Sequence, residues 1–340
     1  MRKMRVDQLA LSNSLAIMEV VNPCHFRLAV SDPEQFAEAI RGSRLEARLL
    51  AKASGVSQLE RIHLPRTCFD TARISSPLLF SGEVAEDCFT LIFVTACPRD
   101  GHSFNFSTRH GTGYIAFFQP RAVLDAMTPA GYANATLTVP EKLFRQEIRH
   151  RFPEIPDEWL KRGAGLRIPD SANRKLALLL AGRREMDQSN SAWLADSMAR
   201  VHFEEDLLEV FIDALREAHL AGTPTQSPLR LRRYEAMRRI RDHIADHRGS
   251  PLRINDLCQV SGMSRRGLEY AFKDLFGVPA NAFVRGHRLH GVRRSLQASE
   301  PAPGRIKQVA LEWGFWHLGH FTKNYRDLFG EPPSETVRHH

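Results

Sequence analysis

The thirteen residues KDLFGVPANAFVR at positions 273–285 come back as RDLFGEPPSETVR at positions 326–338, 53 residues later. Upstream of both, Leu257 pairs with Val309 and Gly262 with Gly314 at an offset of 52, whereas Leu268 pairs with Phe321, Phe272 with Tyr325 and Gly277 with Gly330 at 53. The one-residue slip falls just after the shared glycine, where a turn absorbs it. Each copy therefore reads as a short helix, a glycine-bearing turn and a second helix with apolar residues at i and i+4. Gly277 and Gly330 stand where a helix end wants a left-handed residue, and Ser264 is a good N-cap for the second helix of the first copy. Phe272, Phe276, Tyr325 and Phe329 are expected in the core. Two short helices on a tight turn, the second amphipathic, make the helix-turn-helix pattern, whose second helix lies in the DNA major groove.

The face left for DNA carries Arg265, Arg266, Glu269, Tyr270 and Lys273 behind Ser264 in the first copy. In the second copy it carries His317, Gly319, His320, Thr322, Lys323 and Arg326. Arginine reads guanine, a carboxylate accepts from cytosine N4, and lysine neutralises phosphate. Between the copies runs PANAFVRGHRLHGVRRSLQA, with Phe283, Leu289, Val292 and Leu296 at core spacing. A helix of about 18–20 residues is about 27–30 Å long, near the ~34 Å between successive major-groove faces on one side of B-DNA. The connector thus has the length to set two reading heads in adjacent grooves.

Charge is distributed to match. Residues 229–340 hold 20 Lys and Arg against 11 Asp and Glu, a net of +9; residues 1–228 hold 27 against 28, a net of −1. A near-neutral body carrying a basic module points to a polyanion as that module's partner. The 340 residues allow two domains of ordinary size. No apolar run nears the ~18–20 residues that cross a bilayer, and the first residues lack a signal-peptide pattern, so a cytoplasmic protein without a membrane partner is expected. Five widely spaced cysteines without a C-x-x-C point neither to a disulfide framework nor to zinc.

Residues 24–140 read as β-rich. CHFRLAV, VSQLERIHL, TCFDTARI, FTLIFVTA, SFNFST, GYIAFFQP and ATLTVP are short β-branched and aromatic runs separated by turn-formers, as in an antiparallel barrel or sandwich. One insertion, PEQFAEAIRGSRLEARLLAKASG (residues 33–55), reads as helical. After Pro140, placed at a first helical position, come three helical runs: residues 140–152, 171–187 and 191–220. The last puts Leu207, Leu208, Phe211 and Leu215 on one face, fit for intramolecular packing or for a dimer seam. GTPTQSP (residues 222–228) reads as a linker. The expected class is α+β: a β-rich sensor or dimerisation domain with trailing helices over residues 1–221, then an all-α tandem helix-turn-helix domain over residues 229–340.

From about Tyr234 to His340 the chain resembles the tandem helix-turn-helix domain of the AraC/XylS family of bacterial transcription regulators. The resemblance rests on SGMS at 261–264, LEYAFKDLFGVP, RLHGVRRSL, and VALEWGF followed by YRDLFGEPPSETVR. WGFWHLGHF is similar to the subgroup that includes the ethanolamine-utilisation regulator. The resemblance implies a homodimeric activator that binds double-stranded DNA and works with RNA polymerase, with no cofactor, and an amino-terminal domain that senses a small molecule or dimerises. Two departures stand out. Trp316, Leu318 and Gly319 occupy positions where the family presents polar side chains, so Leu318 contacts a thymine methyl or the second unit holds backbone and bends DNA. Glu269 stands where a neutral or basic reader is usual, and is expected to discriminate against wrong bases.

Other chemistries read more weakly. NPCHFR (residues 22–27) echoes the nucleophile site of O6-alkylguanine methyltransferases, which would make Cys24 a reactive thiolate in a DNA-repair type of regulator. Phe26 replaces the arginine of that motif, and too little chain precedes it. His25, His63, His102 and His110 lack the H-x-H pairing of a cupin-type metal site and are expected to be ordinary polar histidines. P-loop, G-x-S-x-G, H-E-x-x-H and dinucleotide signatures are absent, so no enzyme is expected; effector-free dimeric binding and a protein-interaction domain remain alternatives. Arg266→Ala is expected to cost about 1–3 kcal/mol on the best site and to relax one base position, whereas Lys273→Ala lowers the salt slope of binding by about one unit. Titration over a panel of duplexes at several salt concentrations separates these outcomes, and equal weakening by Arg266→Ala on every duplex would make it a phosphate contact.

Overall fold

FTLIFVTA and YIAFF do not alternate, and the computed structural model of the chain shows why: their strands are buried on both faces. Leu91, Phe93, Ile115 and Phe117 turn towards a layer of helices, while Val94, Ala116 and Phe118 turn towards a second sheet. The structure describes residues 16–40, 42–52, 54–98, 103–105, 108–160, 164–189, 193–221, 228–247, 249–250 and 252–338. Both sheets are antiparallel. The larger runs, in spatial order, β1 (Ala16–Asn22), β2 (His25–Val30), β4 (Ser57–His63), β5 (Cys68–Arg73), β12 (Ala133–Pro140), β7 (Cys88–Ala96), β10 (Tyr114–Phe118) and β13 (Ala164–Arg167). The smaller runs β3 (Arg44–Leu49), β6 (Leu78–Glu83), β11 (Val123–Thr128), β8 (Ser103–Asn105) and β9 (Thr108–His110). They face one another across a cavity.

The segment expected to be one helix is instead a short helix, α1 (Pro33–Glu38), followed by β3. Gly42, in the left-handed region at φ 66°, separates them. RLEARL has good helix formers but also period-2 alternation, and pairing with β6 decides the matter: tertiary hydrogen bonding outweighs local propensity. Strands β1, β6 and β11 were not anticipated either; their sequences are short and mixed. Pro140 ends β12 and, at φ −52° and ψ 137°, is the N-cap rather than the first residue of α2 (Glu141–Arg151). The long run over residues 191–220 is divided: a 3-10 turn (Trp193–Ala195) precedes α5 (Ser197–Leu220), because Asp196 accepts from Met198 N–H at 2.9 Å and starts a new helix there.

Helices α2, α3 (Asp157–Leu160), α4 (Asp170–Ser189) and α5 cover the outer face of the large sheet. Leu207, Leu208, Phe211 and Leu215 are buried in this core with Ile62 and Phe69, so their face is intramolecular. Glu204 of α5 is fully buried yet satisfied, accepting from Arg66 N–H at 2.8 Å, Arg66 Nε at 2.7 Å and the Thr67 hydroxyl at 2.9 Å. A buried charge is tolerated only with such partners, and here they pin α5 to the β4–β5 turn.

The carboxy-terminal part is all helical: α6 (Pro228–Asp246), α7 (Ile254–Ser261), α8 (Arg265–Phe276), α9 (Ala280–Gln297), α10 (Arg305–Glu312), α11 (Leu318–Phe329) and α12 (Pro333–Arg338). Each repeat gives its helix pair, α7–α8 and α10–α11. The glycine stops are left-handed, with φ 70° at Gly262 and Gly277, 79° at Gly314 and 78° at Gly330. Phe272 and Tyr325 are fully buried; Phe276 and Phe329 are half-buried against the same cores. The expected linker, apart from Pro228 at the start of α6, lies outside the described residues.

The connector α9 has 18 residues, about 27 Å of helix. Phe283, Leu289, Val292 and Leu296 are buried as expected, but so are His287, Arg288, His290 and Arg293 on its other side. His287, His290 and Arg293 find their partners in the β-rich body, at Arg48, the Leu49 carbonyl and Asp32, whereas Arg288 donates to the Ser250 carbonyl within the helical part. Gly291 explains itself by packing: a Cβ there would lie 2.1 Å from the Trp313 ring, which is pinned by its Nε1–H bond to the Ser295 hydroxyl at 3.1 Å. Gly291→Ala is therefore expected to destabilise the chain by about 1–3 kcal/mol in urea unfolding; an unchanged midpoint would mean that the indole moves aside freely.

Candidate nucleic-acid interface

Local chemistry builds the first head. The Ser264 hydroxyl accepts from Gly267 N–H at 3.2 Å and starts α8. Leu268, Ala271, Phe272 and Leu275 face inward, which leaves Arg265, Arg266, Tyr270 and Lys273 exposed. The Arg233 guanidinium sits 4.9 Å over the Tyr270 ring. Glu269 is half-buried, and its carboxylate accepts from Ala280 N–H at 3.4 Å. It thus links α8 to the start of the connector, a task inside the fold that the sequence reading did not foresee.

In the second head Phe321, Tyr325 and Leu328 face inward, and Gly319, His320, Thr322, Lys323 and Arg326 are exposed. His317 is the N-cap of α11, but its side chain makes no capping bond. The Thr322 hydroxyl donates to the Leu318 carbonyl at 3.1 Å, within its own helix. Below the helix, the Tyr325 and Thr336 hydroxyls are 2.8 Å apart, and Thr336 donates to Glu331 at 2.7 Å.

The outer surface of the small sheet grips this module. Glu46 on β3 accepts from Arg294 at 2.7 Å, and Arg48 on the same strand lies 2.9 Å from Nδ1 of His287. Asp125 on β11 takes both terminal nitrogens of Arg241 on α6. Asp32, the N-cap of α1, accepts from Arg293 at 2.6 Å. Leu79 and Met127 complete the surface, packing with Met237, Ile240 and Phe272 of the first head. None of this was foreseen, although HRLHGVRR in the connector carried the signal: polar residues on every side of a helix assigned one apolar face.

Strand alternation gives the same wall a second surface. On β3 Leu45 lines the cavity between Glu46 and its neighbours, on β6 Phe80 lines it beside Leu79, and on β11 Leu124 and Ala126 line it around Asp125. The cavity is about 110 Å³. Its opposite wall carries Asn134, Thr136 and Thr138 at alternate positions of β12, with Thr90 and Asp70 beside them. Asp70 is held by Arg61 through Nε at 2.7 Å and a terminal nitrogen at 2.6 Å, so the cavity ends on a neutralised pair.

Other candidate residues are placed elsewhere. His25 is 2.7 Å from Glu60, which also receives Arg27 and Arg183. His63 lies against the Phe26 ring, His110 is on β9, and His102 lies outside the described residues. Among the described residues no group of three or more His, Cys, Asp or Glu is arranged to hold a metal ion, and no helix is long and apolar enough to cross a membrane.

Residues 257–339 match the family model described as a helix-turn-helix domain. The carboxy-terminal part is accordingly a helix-turn-helix domain. The XylDLEGF operon transcriptional activator of Pseudomonas putida is 35% identical over 85 residues, 25% of this chain and 26% of that protein. A solved AraC-type transcriptional regulator of Chromobacterium violaceum is 28% identical over 31% of this chain and 91% of its own, with a TM-score of 0.29. The AraC-like transcriptional activator CuxR covers 84% of this chain and 99% of its own at 14% identity and a TM-score of 0.40. The chain spans about a quarter of the length of the first curated relative it matches.

The grip has a pH dependence. Burial, then the positive charges of Arg48, Arg294, Arg241 and Arg288, hold the His287 imidazole down at about 2, from an ordinary 6.5. Burial lowers fully enclosed His290 in the same direction. Above pH 6.5 both are neutral in either state; below it only the unfolded chain takes up the protons, so stability falls with pH. His287 contributes a slope of about 1.4 kcal/mol per pH unit. His287→Gln is expected to flatten the decline between about pH 6 and 4 by that amount in chemical denaturation; parallel wild-type and variant curves would contradict it.

Proposed function

We propose that the protein is a cytoplasmic transcription regulator, an activator, that binds operator DNA through α8 and α11 in successive major grooves and responds to a small molecule held between its two sheets. The observation that supports this most is the two-faced wall: residues that line the cavity alternate along β3, β6 and β11 with residues that hold the helix-turn-helix module. A ligand shifts an equilibrium only by binding one state better than another, and a wall one strand thick gives it the means. The resemblance of WGFWHLGHF to the subgroup that includes the ethanolamine-utilisation regulator lies in the second head and gives no ligand for the cavity. The cavity's size and lining support a class of ligand instead. An engineered cavity of about 150 Å³ holds benzene, so this one suits an uncharged molecule of about one ring, with hydrogen-bonding groups along the edge that meets Thr136 and Asn134. Homodimers and RNA polymerase are the partners this reading requires.

Selection of random duplexes by the full chain at two salt concentrations tests the DNA half: two motifs about one helical turn apart are expected, and no enrichment would end this reading. For the effector, neutral single-ring compounds, carboxylates and amines, ethanolamine included, are compared by thermal shift and by affinity for the selected duplex. Neutral compounds are expected to move both. Movement of melting temperature alone would break the coupling through the wall, and silence in all three classes would leave the body a dimerisation domain.

A further inference from the structure

The hydrogen bonds of the two turns isolate one extra residue. Met263 N–H donates to the Cys258 carbonyl at 3.2 Å and Phe315 N–H to the Ala310 carbonyl at 2.9 Å, which makes Met263 and Phe315 equivalent. Leu268 N–H donates to the Ser264 carbonyl at 2.8 Å and Phe321 N–H to the His317 carbonyl at 2.9 Å, which makes the two N-caps equivalent. One residue separates Gly262 from Ser264, whereas Phe315 and Trp316 separate Gly314 from His317. Trp316 is the insertion. Phe315 packs into the core as Met263 does, but Trp316 is 63% exposed at the entrance to α11.

Counted from the N-caps, the counterpart of Arg266 in the second head is Gly319. A Cβ at Gly319 would meet nothing within 4 Å, and its backbone is not left-handed. Neither packing nor conformation calls for glycine there, and a glycine in an exposed helical turn is less stable than alanine. The second helix has therefore lost the long side chain at the reading position and has an exposed indole just before it.

We propose that Trp316 and the bare backbone at Gly319 form an apolar reading slot for the methyl edge of a thymine, so that the second head recognises an A·T pair where the first reads through Arg266. This rests on the reading above, in which α11 enters a major groove. Thymine alone shows a methyl group in that groove. An indole offers a large apolar face, and without a Cβ a base edge can come close to the helix backbone. Exposed Lys323 and Arg326 on the same helix, within a segment of net charge +9, suit the phosphates on either side.

The test runs the duplex selection in parallel with full-length wild type, Arg266→Ala, Trp316→Ala and Gly319→Ala. Wild type is expected to enrich two half-sites. Arg266→Ala should relax one of them, and Trp316→Ala and Gly319→Ala a single A·T position in the other, with melting temperatures unchanged or, for Gly319→Ala, raised. Replacing that thymine by uracil, which removes only the methyl, should weaken wild type about fourfold and leave Trp316→Ala unaffected. A wild type indifferent to uracil, or Trp316→Ala weakened equally on all duplexes, overturns the slot while the two-headed reading stands. No enrichment by wild type overturns both.

Discussion

Three parts of the molecule meet at one guanidinium. Arg293 of the connector donates to Asp32 at 2.6 Å, lies 3.4 Å from Glu331 beyond the second head, and stacks 4.8 Å over the Phe329 ring. The other Asp32 oxygen accepts from Glu34 N–H at 2.8 Å and starts α1, so the same carboxylate orders the wall of the cavity. Taking an arginine out of water costs several kcal/mol unless it is paired. Arg293 is buried, and its position is therefore tolerable only when the β-rich body, the connector and the last helices are all in place. Asp125 and Arg241 repeat the device at the first head.

This arrangement makes the connector more than a spacer. In a free tandem helix-turn-helix module its outward face would be solvated and polar, which is how HRLHGVRR reads in isolation. Here Gly286, His287 and His290 lie against β3, and the imidazoles are kept neutral by their surroundings. The spacing of the heads is thus governed by two surfaces, the heads' own cores and the sheet.

Local signals made some of this readable from sequence alone. The turn glycines, the Ser264 cap, the i, i+4 aromatics and the 18-residue connector are properties of neighbouring residues, and each was found where expected. The strands with both faces buried were recognisable as apolar runs. What failed was everything decided by distant partners. RLEARL is a strand because β6 lies beside it, Glu269 is a link because Ala280 comes within reach, and Asp32, Glu46 and Asp125 are silent carboxylates until α6 and α9 are docked. The basic residues that face the body were counted with those that face outward, since net charge does not distinguish them.

The alternation of β3 and β11 also bears on how such proteins diversify. If the two halves met only through a tether, sensing and reading could be exchanged by recombination at any point in it. Here Glu46, Arg48 and Asp125 belong to the β-rich half in sequence but to the helix-turn-helix half in contact. A chimaera joined within residues 222–227 would inherit an unmatched seam, with Arg241, His287 and Arg293 facing the wrong side chains. Exchange of specificity in this lineage should therefore leave a trace of paired change, outward positions on these strands altering together with one flank of α9 while the cavity-lining positions between them vary independently.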